Sequence, residues 1–240
     1  MADHPPLRYR LYRLMWSGLD LFFPPTCPGC GEFAVRWCES CQRAVQPLPA
    51  SICQICGEIL PAAGICPACQ RERPPYEEMR SWAFFNGPLR AALHTLKYKR
   101  NFGLGISLAE QIDQAYPPFP WPLDMLIPIP LSPGRKAERG YNQVSLVAAP
   151  LADRRKLPLR ASALRRVRET RSQVGLNAQQ RRENVQHIFE ARPRQVAGKN
   201  ILLMDDVVTT GATLADAARA LREAGAAAVY AFSIARAPLQ

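Results

Sequence analysis

Eight cysteines lie between positions 27 and 69 as four C-x2-C pairs: Cys27/Cys30, Cys38/Cys41, Cys53/Cys56 and Cys66/Cys69. No cysteine follows in the rest of the 240-residue chain. A C-x2-C pair turns two sulfurs toward one ion, and two such turns complete a closed tetrahedral thiolate site with Zn–S near ~2.3 Å. Eight cysteines therefore predict two zinc sites. With sulfur in every position no place is left for a reactive water, so both zinc ions are expected to be structural. A disulfide framework fits less well, because Met1-Ala2-Asp3-His4-Pro5-Pro6 does not lead into a secretory signal. A redox C-x-x-C pair would need a thioredoxin-like context. Sequential pairing joins the first two pairs and the last two; interleaved pairing stays open. Gly31 and Gly57 each follow a C-x2-C pair, where a tight knuckle wants a permissive residue.

Around this module the texture changes twice. Before it, Leu7, Leu11, Leu14, Met15, Leu21 and Phe22 share one face of a predicted helix, with aromatic rings and arginines on the other, and Pro24-Pro25 ends it. That segment, residues 1–26, is expected to pack on the zinc module or to dock on a membrane surface or protein partner. After residue 72, Arg73-Pro74-Pro75 completes a linker. Beyond it, strands predicted over 81–85, 125–130, 200–208 and 227–235 alternate with helices over 89–98, 104–115, 141–151 and 213–224. This alternation implies an α/β fold with a parallel sheet and right-handed crossovers. No apolar run approaches the roughly 20 residues of a spanning helix. A cytoplasmic location is expected, with peripheral membrane contact through the first segment as an option.

Charge is concentrated. The chain carries a formal +11, and residues 133–182 hold 13 basic and three acidic groups. An anionic partner could dock there, or the segment could be a solvated face. With 48% apolar residues, a mostly disordered chain is excluded.

The most informative segment is Ile201-Leu202-Leu203-Met204-Asp205-Asp206-Val207-Val208-Thr209-Thr210-Gly211-Ala212-Thr213-Leu214. A buried strand runs into two acids, then into a small hydroxyl-rich loop that opens a helix. The free N–H groups and positive dipole of a helix start suit a phosphate, and Gly211 allows close backbone approach. Asp205 and Asp206 would repel a phosphate, so they should face ribose hydroxyls or a magnesium ion. The pattern suits a sugar phosphate lying across a strand end.

These residues resemble the phosphoribosyl-pyrophosphate (PRPP) motif of type I phosphoribosyltransferases. Together with the cysteine module, the chain resembles the ComF family of competence-associated proteins. Further support comes from Leu96-Lys97-Tyr98-Lys99, from Ile127-Pro128-Ile129-Pro130-Leu131 with Arg139-Gly140-Tyr141-Asn142-Gln143, and from Thr170-Arg171-Ser172-Gln173 with Arg181-Arg182-Glu183-Asn184. The resemblance implies a type I phosphoribosyltransferase-like parallel sheet with flanking helices over 76–240, preceded by a small Cys-rich double zinc-ribbon module over 27–72.

It also implies roles. Asp205 and Asp206 would hold the ribose hydroxyls. Thr209, Thr210, Gly211, Ala212 and Thr213 would cradle the 5-phosphate. Leu131, Arg139 and Asn142 would belong to the pyrophosphate loop, and Arg168, Thr170, Gln173 and Arg181 to a hood. Magnesium would accompany PRPP. The surplus of arginines, Arg165 and Arg166 among them, suggests single-stranded DNA as a second partner, with a protein partner reached through the zinc module. Stacking platforms would have to come from residues such as Trp82, Phe84 or Trp121, since Tyr141 is the only aromatic in 133–182. Purine-salvage members of the fold often carry an acid where this chain has Thr209, so the most direct candidate for proton handling is missing. Two functions follow: a PRPP-binding protein that acts in DNA uptake or processing, or an active phosphoribosyltransferase for a nucleobase or amine.

Overall fold

The computed structural model describes residues 24–99, 101–115, 119–168 and 187–238. The N-terminal segment up to residue 23, and the hood candidates Thr170, Gln173 and Arg181, lie outside the described residues.

Four parallel strands form the central sheet: β1 (Met79–Phe84), β2 (Met125–Pro128), β5 (Asn200–Val208) and β6 (Ala228–Arg236), in the order β1-β6-β5-β2. The register pairs Met125 with Ile201 and Met79 with Ala231. Both faces are covered, so the middle strands read as near-continuous apolar runs. Alternation along β5 splits its side chains between two cores. Leu202 and Met204 face one core, Ile201 and Leu203 the other.

On the first face pack α3 (Gly87–Tyr98), α4 (Phe102–Ala115) and α6 (Gln143–Arg154), through residues such as Leu93, Leu108, Val147 and Leu151. On the second packs α8 (Ala212–Glu223), with Leu214, Ala217, Ala218 and Leu221. Beside α8 lies an antiparallel hairpin of β3 (Leu164–Arg166) and β4 (Phe189–Ala191), followed by the short α7 (Pro193–Val196). A short α5 (Pro133–Arg139) sits between β2 and α6.

The cysteine module is built into this body. Its short helices are α1 (Glu39–Arg43) and α2 (Pro67–Arg71). Cys27, Cys38 and Cys41 join the first core, and Cys53, Cys66 and Cys69 join the second. The chain between the two groups runs along the outer edge of β1, where the Phe84 amide donates to Gln46 O at 2.9 Å. Among the described residues no helix is long and apolar enough to cross a membrane.

Candidate functional site

The cysteines gather sequentially. Cys27, Cys30, Cys38 and Cys41 form one group and Cys53, Cys56, Cys66 and Cys69 the other, with all four sulfurs of each group within 4.8 Å of one another. The interleaved alternative is thereby excluded. The donor set fits zinc on chemistry as well as spacing. Cys38 and Cys66 are the N-cap residues of α1 and α2, and their sulfurs accept from the amides of Cys41 and Cys69 at 3.4 Å. Amide donors of this kind orient a sulfur that ligates a metal.

The second site is a cleft of about 440 Å³ where β2 and β5 end. Open α/β sheets bind ligands at this end of their strands. Its floor is Asp205 to Leu214, and its walls include Lys97, Tyr98, Leu131, Arg135, Arg139, Gln143 and Arg166. At the floor β5 passes into α8 through Gly211, which has φ +79° and serves as the N-cap. Only a left-handed residue makes this turn cheaply. It leaves Thr209, Thr210 and Thr213 half-buried beside the helix start. Tyr76, itself buried, reaches the back of this loop: a Cβ on Gly211 would lie 3.5 Å from its hydroxyl.

The two acids have different surroundings because adjacent strand residues point to opposite faces. Asp206 follows Leu202 and Met204 onto the first face and is buried. Its Oδ2 lies 2.7 Å from Lys97 Nζ and accepts from Gln143 Nε2 at 3.2 Å. Gln143 Oε1 in turn accepts from Arg139. Asp205 is half-buried, and its Oδ1 accepts from the Asp206 amide at 2.8 Å. Burial and the neighbouring Asp206 push the Asp205 carboxyl up to about 8. Burial works against ionisation of Asp206 too, but Lys97 and Gln143 outweigh it and hold that carboxyl below its usual range. At neutral pH the pair therefore carries close to one negative charge, and Lys97 balances it.

Comparison with known proteins agrees with this architecture. Residues 18–70 match the model of the double zinc ribbon domain, and residues 145–238 match that of the phosphoribosyl transferase domain. The DNA utilization protein YhgH of Salmonella typhi is 33% identical over 207 residues, which cover 83% of this chain and 89% of that protein. Competence protein ComFC of Bacillus subtilis is 30% identical over 207 residues, 83% of each chain. The chain belongs to the ComF family. Competence protein F of Haemophilus influenzae is 29% identical over 213 residues, 83% of this chain and 90% of that protein. Among solved structures, the glutamine PRPP amidotransferase from B. subtilis complexed with ADP and GMP is 21% identical, covering 58% of this chain and 26% of its own, with a TM-score of 0.36. This chain thus spans about a quarter of that protein, and the overlap is too loose to bear on the site.

In this ComF-family chain the cleft brings together Asp205, Asp206, Thr209, Thr210, Gly211, Ala212, Thr213, Leu131 and Arg139. Two candidates sit elsewhere. Asn142 is the N-cap of α6: its Oδ1 accepts from the Val144 amide at 3.0 Å, and its Nδ2 donates to Ile129 O at 2.8 Å. It fastens α6 to the end of β2 and does not line the cleft. Arg168 is exposed and outside the lining, whereas Arg166 is within it. The aromatic residues expected as stacking platforms do not line the cleft. Trp82 and Trp121 are buried, and Phe84 lies half-buried in β1.

Part of the basic excess is spent on structure. Arg154 and Arg155 both pair with Asp113 of α4, at 2.7 and 2.5 Å. Arg165 pairs across the hairpin with Glu190. The cations that line the cleft are Lys97, paired with Asp206, Arg135, Arg139, which donates to Gln143, and Arg166, which lies over the Phe189 ring. In the sequence Lys97 and Gln143 stand out only as members of the segments that carry the family resemblance. The odd–even rule along β5 could have separated the two acids. No local signal identifies Lys97 as the partner of Asp206, because that contact depends on how α3 crosses the sheet.

Proposed function

We propose that this chain binds PRPP, accompanied by magnesium, in the cleft at the end of β5, and that it handles single-stranded DNA in uptake or processing. The observation that carries the reading is the left-handed turn at Gly211. It places three threonines and a helix start beside a strand-end carboxylate pair, inside an open cleft walled by arginines. The helix start and hydroxyls suit the 5-phosphate. Asp205, less enclosed than Asp206, is the acid placed to meet the ribose hydroxyls. Arg135 and Arg139 suit the pyrophosphate, and magnesium bound with PRPP would offset part of its charge. Asp206 acts through its neighbours, fixing Lys97 and Gln143 on the opposite wall.

The DNA part of the reading draws on the relatives' names, DNA utilization protein and competence protein, and on the cations that line the cleft. Thr209, where an acid often serves the base in purine salvage, favours binding over base transfer.

The test is calorimetry with PRPP and magnesium, alongside pyrophosphate release over a panel of nucleobase and amine acceptors. Binding without release is expected. Asp205→Ala should weaken binding at least tenfold while leaving two zinc ions per chain. Unchanged affinity would remove the ribose assignment, and acceptor-dependent release would make the chain a phosphoribosyltransferase.

A further inference from the structure

Tyr98 stands apart from the other aromatic residues near the cleft. It lines the cleft at the end of α3, yet 62% of its surface is exposed. An exposed aromatic ring alone is ordinary. Its company is not. The ring of His94, one turn earlier and also exposed, lies 4.6 Å from the Tyr98 ring, centroid to centroid, at 47°. The Arg139 guanidinium lies over the Tyr98 ring, 5.3 Å from its centroid. Two rings and a planar cation thus form a row at the cleft mouth.

The row is held in place. The Tyr141 hydroxyl donates to Leu96 O at 2.7 Å and pins the last turn of α3. Lys97, between the pinned residue and Tyr98, reaches inward to Asp206. Arg139 is oriented by Gln143. Arg135 and Arg166 line the same cleft, whose acids are Glu138, Asp205 and Asp206, and the exposed Lys99 directly follows Tyr98. The surroundings are cationic on balance and suit a phosphate backbone.

We infer that Tyr98, flanked by His94 and Arg139, is a base-stacking platform for single-stranded nucleic acid crossing the mouth of the cleft. Bases stack on aromatic rings and on guanidinium planes alike, with little regard to sequence, while nearby cations track the phosphates. A peptide partner has no comparable call on a row of planar groups set among cations. The inference rests on the DNA-handling reading above and gives the strand a place.

The experiment uses the zinc-loaded full chain and a single-stranded thymidine oligonucleotide carrying one 5-iodouracil. Irradiation followed by mass spectrometry should find the crosslink on Tyr98. In anisotropy titrations Tyr98→Ala should weaken strand affinity about 5- to 150-fold, the span that loss of one stacked base gives. Tyr98→Trp should restore it, and Tyr98→Leu should not. The salt dependence of binding should keep its slope in Tyr98→Ala, because no phosphate contact is lost. Arg135→Ala should instead lower that slope by about one. Zinc content and circular dichroism establish that each variant is folded. A crosslink found only elsewhere, an unchanged affinity in Tyr98→Ala, or full function in Tyr98→Leu would overturn the platform while leaving DNA binding intact. Absence of strand binding by the wild-type chain would overturn the platform and the DNA reading together, with PRPP calorimetry reporting independently on the cleft.

Discussion

The two zinc ribbons look alike in sequence and do different things in the fold. Each has two C-x2-C pairs, a glycine after its first pair and a five-residue helix opening on its second. The first ribbon packs on the α3–α4 face, where Trp37 Nε1 donates to Gln111 at 2.7 Å. The second packs on the opposite face, against β1 and the end of β6. There the Met79 amide donates to Ile55 O at 2.7 Å, and Tyr76, just beyond the ribbon, backs Gly211. One ribbon therefore braces a helical layer, while the other braces the floor of the site. A repeated sequence motif need not imply a repeated role.

The largest expected effect comes from removing a zinc ligand from each ribbon in turn. Cys41→Ala and Cys69→Ala should each lower the zinc content from two ions to one. Structural zinc contributes roughly 10–16 kcal/mol to folding in small zinc modules, so both variants should lose several kcal/mol of stability. The difference lies at the cleft: Cys69→Ala should weaken PRPP binding by the folded fraction more than Cys41→Ala does. Equal weakening would mean that the second ribbon has no special hold on the phosphate loop.

The ion pairs of the two ribbons come next. Arg236, at the end of β6, is buried, and it donates to Glu58 at 3.0 Å and to Cys56 O at 2.5 Å. It ties the second ribbon to the sheet, and Arg236→Ala should cost about 3 kcal/mol by leaving those acceptors without a donor. The first ribbon's pair, Arg43 with Glu39, lies in the open on α1. Arg43→Ala should cost roughly 0–0.5 kcal/mol. Denaturant midpoints measure both, and similar losses would mean that Arg236 does not bear the docking.

The two faces also differ in how their acids respond to pH. The Asp205 carboxyl is raised to about 8, so the folded chain holds a proton that the unfolded chain has released above about pH 4. Its contribution is fully present below about pH 4 and is lost as pH rises toward 8. Asp206 is shifted the other way, so its contribution is present above about pH 4 and lost on acidification. Melting temperatures followed from pH 6 to 9 should fall in the wild-type chain and fall less in Asp205→Asn. Asp206→Asn removes the neighbouring negative charge, so the Asp205 carboxyl should titrate lower and the decline should shift toward lower pH. Parallel curves for all three proteins would contradict the split between the acids.

The legible parts of this molecule are those fixed by short-range rules. Four C-x2-C pairs announced two thiolate sites. Apolar runs ending in acids and a glycine announced β5 and its turn into α8, because a strand buried on both faces has little other composition open to it. What escaped were contacts between elements distant in sequence. Arg236 reads as a lone arginine near the C-terminus, yet it reaches back to Glu58. Arg154 and Arg155 read as part of a basic docking stretch, yet Asp113 takes both. Tyr98 reads as another helix residue, and only the crossing of α3 over the sheet sets it at the cleft mouth beside Arg139. Charge and aromaticity were countable from the sequence, while their placement depended on packing.

The finest test of the ribbon comparison is a pair of matched glycines. Gly31 and Gly57 both follow a C-x2-C pair and both have positive φ, +81° and +64°. An alanine at either position pays the left-handed penalty of about 1–2 kcal/mol. They differ in what a Cβ would meet: nothing lies within 4 Å at Gly31, whereas at Gly57 the carbonyl oxygen of Met79 would be 2.7 Å away. That oxygen belongs to β1 and cannot swing aside as a side chain would, so Gly57→Ala should cost about 1–3 kcal/mol beyond Gly31→Ala. Because Met79 adjoins the Gly211 loop, with its sulfur 3.9 Å from where a Cβ on Gly211 would sit, the strain should pass toward the cleft. Gly57→Ala should therefore lower PRPP affinity several-fold where Gly31→Ala does not, and identical affinities would confine the second ribbon's role to stability.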